Sequence, residues 1–369
     1  MNMRIRVIVS ALAAGLYGVY PASAQLWSPG DSLIISGGSN VTVSADQPAL
    51  VRFTDNGSFV IEAGGSVSVT GAVSSLVGSG IGESGTLSLN GGSMSKLNGS
   101  FIAVGYLGGT GTLNIANGAT LNMTACGLRI ASNEEGQRHL PSYGTVTVNG
   151  TLFANSVEFS DFFLTGIEQP YAEAGRLILN AGGLLETAQL TKNDCASSTL
   201  LFNGGTLRAK ADNANFIQGQ GVLRLVIADG AKAVFDTNGK TIIVNPLAAP
   251  NDTVLTLAGD ASGVGDGGLI KTGAGALIFR LPAACNTFTG SIEVVAGALD
   301  LGRRLADNQR VTVHPGATFA LYDKHDAGKV TVLTATGERV LYTVGADTDA
   351  LDLGAVSATF YDDRLGGPL

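Results

Sequence analysis

Several short stretches of this 369-residue chain carry residue types and spacings that could do chemistry. In Ser93-Met94-Ser95-Lys96 a serine stands three residues ahead of a lysine, and Lys271-Thr272-Gly273 supplies a second element of serine acyl-transfer sites. That chemistry needs the serine to open a helix. Ser93 lies instead in a Gly-Ser stretch of strand character, and no Ser-Asp-Asn intervenes. Gly268 to Gly273 has the glycine spacing of a phosphate loop, but Ala274 stands where the lysine is required, and no helical pattern follows to hold an anion. Gly263-Val264-Gly265-Asp266-Gly267-Gly268 has the composition of one calcium nonapeptide, a site completed only by tandem copies.

Histidine is confined to His139, His314 and His325. None sits in a nucleophile motif; His139 falls in a polar loop and His314 on the outward phase of a strand, so solvated roles are expected. The densest charged clusters are Asp323-Lys324-His325-Asp326 and Asp362-Asp363-Arg364. Paired acids, or carboxylates holding calcium beside an Arg or Lys base, are what polysaccharide cleavage needs. Both clusters lie near the C-terminus, where a charged turn keeping one end soluble is the plainer reading. Cys126, Cys195 and Cys285 form no C-x-x-C or Cys/His cluster and read as small buried apolar residues, with Cys195–Cys285 the one pairing considered. No catalytic residue, metal ligand or cofactor is assigned.

The elements that would have to position such residues are short strands. Glycine supplies 52 of the 369 residues, while 45% of the chain is hydrophobic and 14% charged. That is enough apolar material for a core, and the glycines keep no collagen period. Arg4 and Arg6, the apolar run Val7 to Tyr20 and the small residues Pro21-Ala22-Ser23-Ala24 read as a secretory signal peptide over 1–24, cut after Ala24. The run is too short for a bilayer span of ~20 residues, and no later segment predicts a span in the mature chain. The formal charge of −8, from 22 basic and 30 acidic residues, gives no basic footprint for nucleic acid.

One phrase recurs: Gly85-Thr86-Leu87-Ser88-Leu89-Asn90-Gly91, Gly111-Thr112-Leu113-Asn114-Ile115-Ala116-Asn117-Gly118, Gly144-Thr145-Val146-Thr147-Val148-Asn149-Gly150 and Gly175-Arg176-Leu177-Ile178-Leu179-Asn180. Apolar and polar residues alternate with the period of a half-buried strand, and Asn-Gly closes it because both tolerate positive φ. Return of the same residue types at coil length favours a solenoid over hairpins. The pattern predicts an all-β parallel β-helix of roughly 14 coils at ~25 residues each, about 65 Å long. Asn90, Asn117, Asn149, Asn180 and Asn203 are expected to form a hydrogen-bonded ladder up one corner. Irregular stretches at 133–141, 160–173 and 247–251 read as loops leaving the rod, with Phe162 and Phe163 packing back over an edge.

The block Gly265 to Gly302 is the most specific. It contains Gly267-Gly268-Leu269-Ile270-Lys271-Thr272-Gly273-Ala274-Gly275-Ala276-Leu277, then Asn286-Thr287-Phe288-Thr289-Gly290, then Gly297-Ala298-Leu299-Asp300-Leu301-Gly302. It resembles the autotransporter-associated β-strand repeat, with Phe288 in place of the commoner Tyr. The resemblance implies a right-handed parallel β-helix serving as the surface-exposed passenger of an outer-membrane secretion system in a Gram-negative-type bacterium. Within the repeat, Lys271 is expected to project from a corner while Leu269, Leu277 and Phe279 fill the interior. Such a passenger is normally followed by a translocator barrel, and nothing comparable precedes Leu369; leader-only export or a truncated frame is the expectation.

The domain reading is a leader at 1–24, N-terminal coils or a cap at 25–84, glycine-rich coils at 85–328 with the repeat at 265–302, and capping strands at 329–369. The function expected is a secreted or cell-surface structural β-helix, passenger- or adhesin-like and non-catalytic, with glycans or other surface proteins as partners. The competing readings are a β-helix polysaccharide lyase or glycoside hydrolase, and a glycan-binding module without turnover.

Overall fold

A computed structural model describes residues 7–8, 32–35, 40–43, 51–53, 57–70, 74–98, 101–132, 142–159, 174–193, 197–220, 222–245, 254–259, 267–281, 285–303, 305–307, 309–320, 329–334, 337–340, 361–362 and 367–368, in part with small gaps. The secondary-structure elements there are all β-strands. The loops expected at 133–141, 160–173 and 247–251 lie outside the described residues. So does the leader, apart from Val7–Ile8, which pairs with Leu33 and Ile34.

The chain is a parallel β-helix. One coil shows the plan: Ser84–Asn90 forms face A, Ser93–Lys96 face B and Ile102–Tyr106 face C, after which Thr110–Ile115 returns to face A beside Ser84–Asn90. Rung stacks on rung in parallel register. Along face B, eleven successive pairings link twelve rungs from Asn40–Val43 to Val330–Thr334. At ~4.8 Å per step these span about 53 Å. The coils are less uniform than the expected spacing: register partners Thr112 and Thr145 are 33 residues apart, Arg176 and Thr199 23, and Val311 and Val330 19.

The glycines that open the repeated phrase mark the register, since Gly57, Gly85, Gly111, Gly144 and Gly175 stack in one row. Alternate residues then point inward. Leu87, Leu113, Val146, Leu177, Leu200 and Leu225 are buried in a second row. Burying one such side chain contributes about 1.5–3 kcal/mol. Farther along, Phe202, Phe235 and Phe279 come from faces A, B and C and meet across the interior, with ring centroids 5.1 and 5.9 Å apart.

The Asn ladder exists, but only three of its five expected members form it. Asn180 Nδ2 donates to Asn149 Oδ1 at 2.9 Å, and Asn203 Nδ2 donates to Asn180 Oδ1 at 2.8 Å. Asn90 occupies the same corner and donates to Glu62 Oε1 at 3.4 Å. Asn117 is a correction: register pairing of Leu89, Ile115 and Val148 puts Ala116 in the ladder row and leaves Asn117 exposed one residue beyond. A pair the sequence did not suggest, Asn245 Nδ2 to Asn215 Oδ1 at 3.2 Å, spans another corner.

Face C carries a backbone constraint. Gly78, Gly105 and Ala131 stand opposite one another between paired residues, and all three have positive φ, of 64°, 73° and 57°. A Cβ on Gly105 would lie 2.0 Å from the Tyr143 carbonyl oxygen. This shared kink turns the chain toward face A.

Toward the C-terminus face A ends at Val254–Gly259. The next coil replaces its strand with the Asn286–Gly290 segment: Thr287 N donates to Leu257 O at 2.8 Å and Phe288 is buried in the core. Beyond it the last rung, Val330–Thr334, pairs antiparallel with Gly337–Val340. Within the region expected to cap the rod, Val330–Thr334 is itself a rung paired parallel with Val311–Val313, and Val356 to Phe360 lies outside the described residues.

Two stability predictions follow from the corners. Asn180→Ala, which removes bonds to both neighbouring coils, should cost about 1–2 kcal/mol, while Asn117→Ala should stay within about 0.5 kcal/mol; urea melts monitored by circular dichroism measure the contrast. Gly105→Ala should lower the midpoint by an amount equivalent to at least about 1–3 kcal/mol, whereas Ala131→Gly in the same row should change it by less than about 1 kcal/mol. Equal effects of the last two would remove the kink as a constraint.

Candidate functional site

Strand parity decides most of the motifs singled out in the sequence. Along Ser93–Lys96 burial alternates, so Ser93 is exposed on the outside and Lys96 is buried inside. Residues three apart on a strand point to opposite sides of the sheet, and this Ser and Lys cannot share a reaction centre. Gly268–Thr272 is a strand of face B, without the curled backbone a phosphate loop needs. Asp266 and the preceding glycines of the nonapeptide-like stretch lie outside the described residues, as do His139, Cys195, Asp323 to Asp326, Asp363 and Arg364. Among the described residues no group of three or more His, Cys, Asp or Glu is placed to hold a metal.

Lys271 departs from expectation. It does not project from a corner; its side chain points inward and is fully buried. The ammonium donates to the carbonyl oxygens of Thr272 at 2.9 Å, Gly273 at 2.7 Å and Ala296 at 2.8 Å, clamping a corner to the next coil. Burial pushes its pKa down to about 8, with Asp236 opposing the shift. Two further amides of this region also serve the backbone. Buried Asn286 donates to Leu301 O at 3.0 Å, and buried Gln309 donates to Phe288 O at 3.2 Å and Gly290 O at 3.1 Å. Lys96 and Lys192 are buried as well. Burial lowers the Lys96 pKa, the neighbouring Cys126 opposing it. The Cys126 thiol donates to Asn98 O at 2.9 Å, and Cys285 packs half-buried against the core; neither forms a disulfide among the described residues.

Charges on the outside of faces B and C are paired between coils. Arg208 stands between Glu186 and Asp236 in one row and bonds Asp236 at 2.7 Å, with Glu186 at 4.0 Å. Glu293 is held from two sides, by His314 Nε2 at 2.9 Å and Lys232 Nζ at 3.5 Å. The His314 hydrogen bond holds its pKa below the ordinary carboxylate range, with burial opposing and Lys232 adding to the effect. His314 is therefore outward, as expected, but engaged. Arg129 on face C bonds Glu158 at 3.3 Å and lies 3.9 Å over the Phe101 ring. No family model, curated protein or solved structure matches this chain.

Face A differs from the other two. Its first central outward row reads Thr86, Thr112, Thr145, Arg176, Thr199, Arg224 and Thr256. Arg176 and Arg224 are exposed, and neither guanidinium has a hydrogen-bond or ion-pair partner among the described residues. The second outward row changes from Ser88, Asn114 and Thr147 to Ile178, Leu201, Val226 and Ala258. Sequence reasoning passed over this surface, although the signal was present: alternation lapses into unbroken apolar runs at Leu177-Ile178-Leu179, Leu200-Leu201-Phe202 and Leu225-Val226-Ile227.

The buried ammonium has a pH signature. The unfolded chain keeps the Lys271 proton up to about 10.5 and the folded chain releases it near 8. The unfolded state binds more protons across that window, so this residue makes stability rise with pH between those values. Lys271→Met should lower the melting temperature at pH 7, since it takes the donor from the Gly273 and Ala296 carbonyls at about 1–3 kcal/mol each, while Thr272 O keeps Thr237 N and Oγ1. The gap to the native protein should then widen toward pH 10.5; a gap constant with pH would contradict the assignment.

Proposed function

We propose that this chain is a secreted or cell-surface structural β-helix, passenger- or adhesin-like, that works by rigid display rather than by turnover. The observation carrying this reading is where its chemically capable residues go. Lys271, Asn286 and Gln309 serve backbone carbonyls of adjoining coils, and Arg208, Glu293 and His314 are spent on pairs between rungs. Such an arrangement fixes a rod. The resemblance of Gly265 to Gly302 to the autotransporter-associated repeat supports the same reading, and the leader at 1–24 supports export to the surface of a Gram-negative-type cell.

Two measurements test it. Expressed with its leader, the protein should be recovered outside the cytoplasm with Gln25 at its N-terminus; an intact leader on cytoplasmic protein would overturn the export part. Incubated with a panel of glycans, the mature protein should leave them uncut. New reducing ends or unsaturated products, abolished by Asp323→Ala or Asp326→Ala, would replace display with polysaccharide cleavage.

A further inference from the structure

Face A of coils 175–259 is built as a surface that something covers. Parallel strands whose two sides are both buried read as near-continuous apolar runs, whereas strands with one side in water alternate. Faces of the first kind and the second kind occur here on the same sheet. From Ser58 to Thr147 the outward central rows are Ser, Thr, Asn and one Val; from Arg176 onward the second row is Ile178, Leu201, Val226 and Ala258, half-buried and unmatched by polar side chains. The neighbouring row alternates Arg176, Thr199, Arg224, Thr256. Thr199 is only 9% exposed between the two arginines.

Charge identifies the occupant. The chain has 30 acidic against 22 basic residues, yet these two central rows contain no carboxylate from Ser58 to Ala258. Asp229, in the corner after Arg224, has its Oδ1 buried. Arg208, by contrast, is neutralised on face B by its own neighbours. Two unpaired guanidiniums in one row, two rungs and therefore about 9.6 Å apart, offer forked donors to anionic groups recurring along the rod axis. The aliphatic strip alongside suits a ligand with apolar edges, and Thr199 and Thr256 add hydroxyls.

We propose that face A between Arg176 and Ala258 binds an extended acidic polysaccharide laid along the axis. Arg176 and Arg224 take its carboxylate or sulfate groups, and sugar C–H edges lie on Ile178, Leu201 and Val226. The assignment rests on the display reading, because it needs an exported rod to meet such a polymer, but binding itself is measurable in vitro whatever the route of export.

The test is affinity electrophoresis of the purified protein beginning at Gln25, in gels containing polygalacturonate, chondroitin sulfate, a neutral cellulose derivative or polyglutamate. Polygalacturonate, chondroitin sulfate or both should retard the protein, less so as salt rises; which of the two does so separates carboxylate from sulfate. Arg176→Ala and Arg224→Ala should each weaken binding about tenfold, and the double variant should run as in the neutral gel. Leu201→Asp should weaken it similarly, and Arg280→Ala, on an exposed arginine outside face A, should not change it. Melting temperatures of all variants confirm that they fold. The proposal is overturned by no retardation in either acidic polysaccharide, by equal retardation in the neutral or polyglutamate gel, or by a double variant that binds as the native protein does.

Discussion

The structure depends on one constraint: each described strand of the coils hydrogen-bonds to a strand one full coil away, in parallel. No rung can satisfy its backbone alone, so each residue's environment is set by the residue at the same position in the coils above and below. This is why like stacks on like. A glycine at the start of one face A strand is followed by a glycine at the start of the next, and a leucine filling the interior rests on another leucine. The same rule gives polar side chains their use. Asn180 can accept from one neighbour and donate to the other only because the ladder brings an amide to the same corner on both sides.

Much of this was legible in the sequence because the ladder leaves a periodic trace. The Gly-Thr-Leu copies found by inspection are the register of face A, and their alternation names the buried residues. The errors are equally local. Lys271 shares strand parity with Leu269 and so must point inward with it; its charge suggested a corner, but the spacing of two residues argued for the core. Asn117 was placed in the ladder on residue type, although its corner holds one more residue before the glycine than the corner after Leu89 does. The kink at Gly78, Gly105 and Ala131 left little sequence trace, because one of its three members is alanine.

The candidate surface was harder to read for a different reason. Motif reasoning looks for acids, bases and nucleophiles close together in sequence, whereas a solenoid assembles its outer surface from residues a coil apart. Arg176 and Arg224 are 48 positions apart along the chain and belong to one row only through the pairing of Thr199 with both. Faces B and C illustrate the opposite case, where residues gathered by the same geometry neutralise one another. The three sides of a single rod thus carry different chemistry on the same backbone.

The unequal coils have an evolutionary consequence. Three of the long returns, from Ser132 to Tyr143, Phe159 to Gly175 and Val244 to Val254, fall where face C hands over to face A. An insertion within a strand by one residue would turn every following side chain inside out. At that edge the ladder resumes after an odd or an even number of added residues alike, as the separations of 33, 31 and 32 between successive rungs attest. One margin of the rod is therefore where long segments are acquired or discarded by mutation, and the corner from face A to face B varies as well, from two residues after Asn90 to four after Ile115 and eight after Gly259.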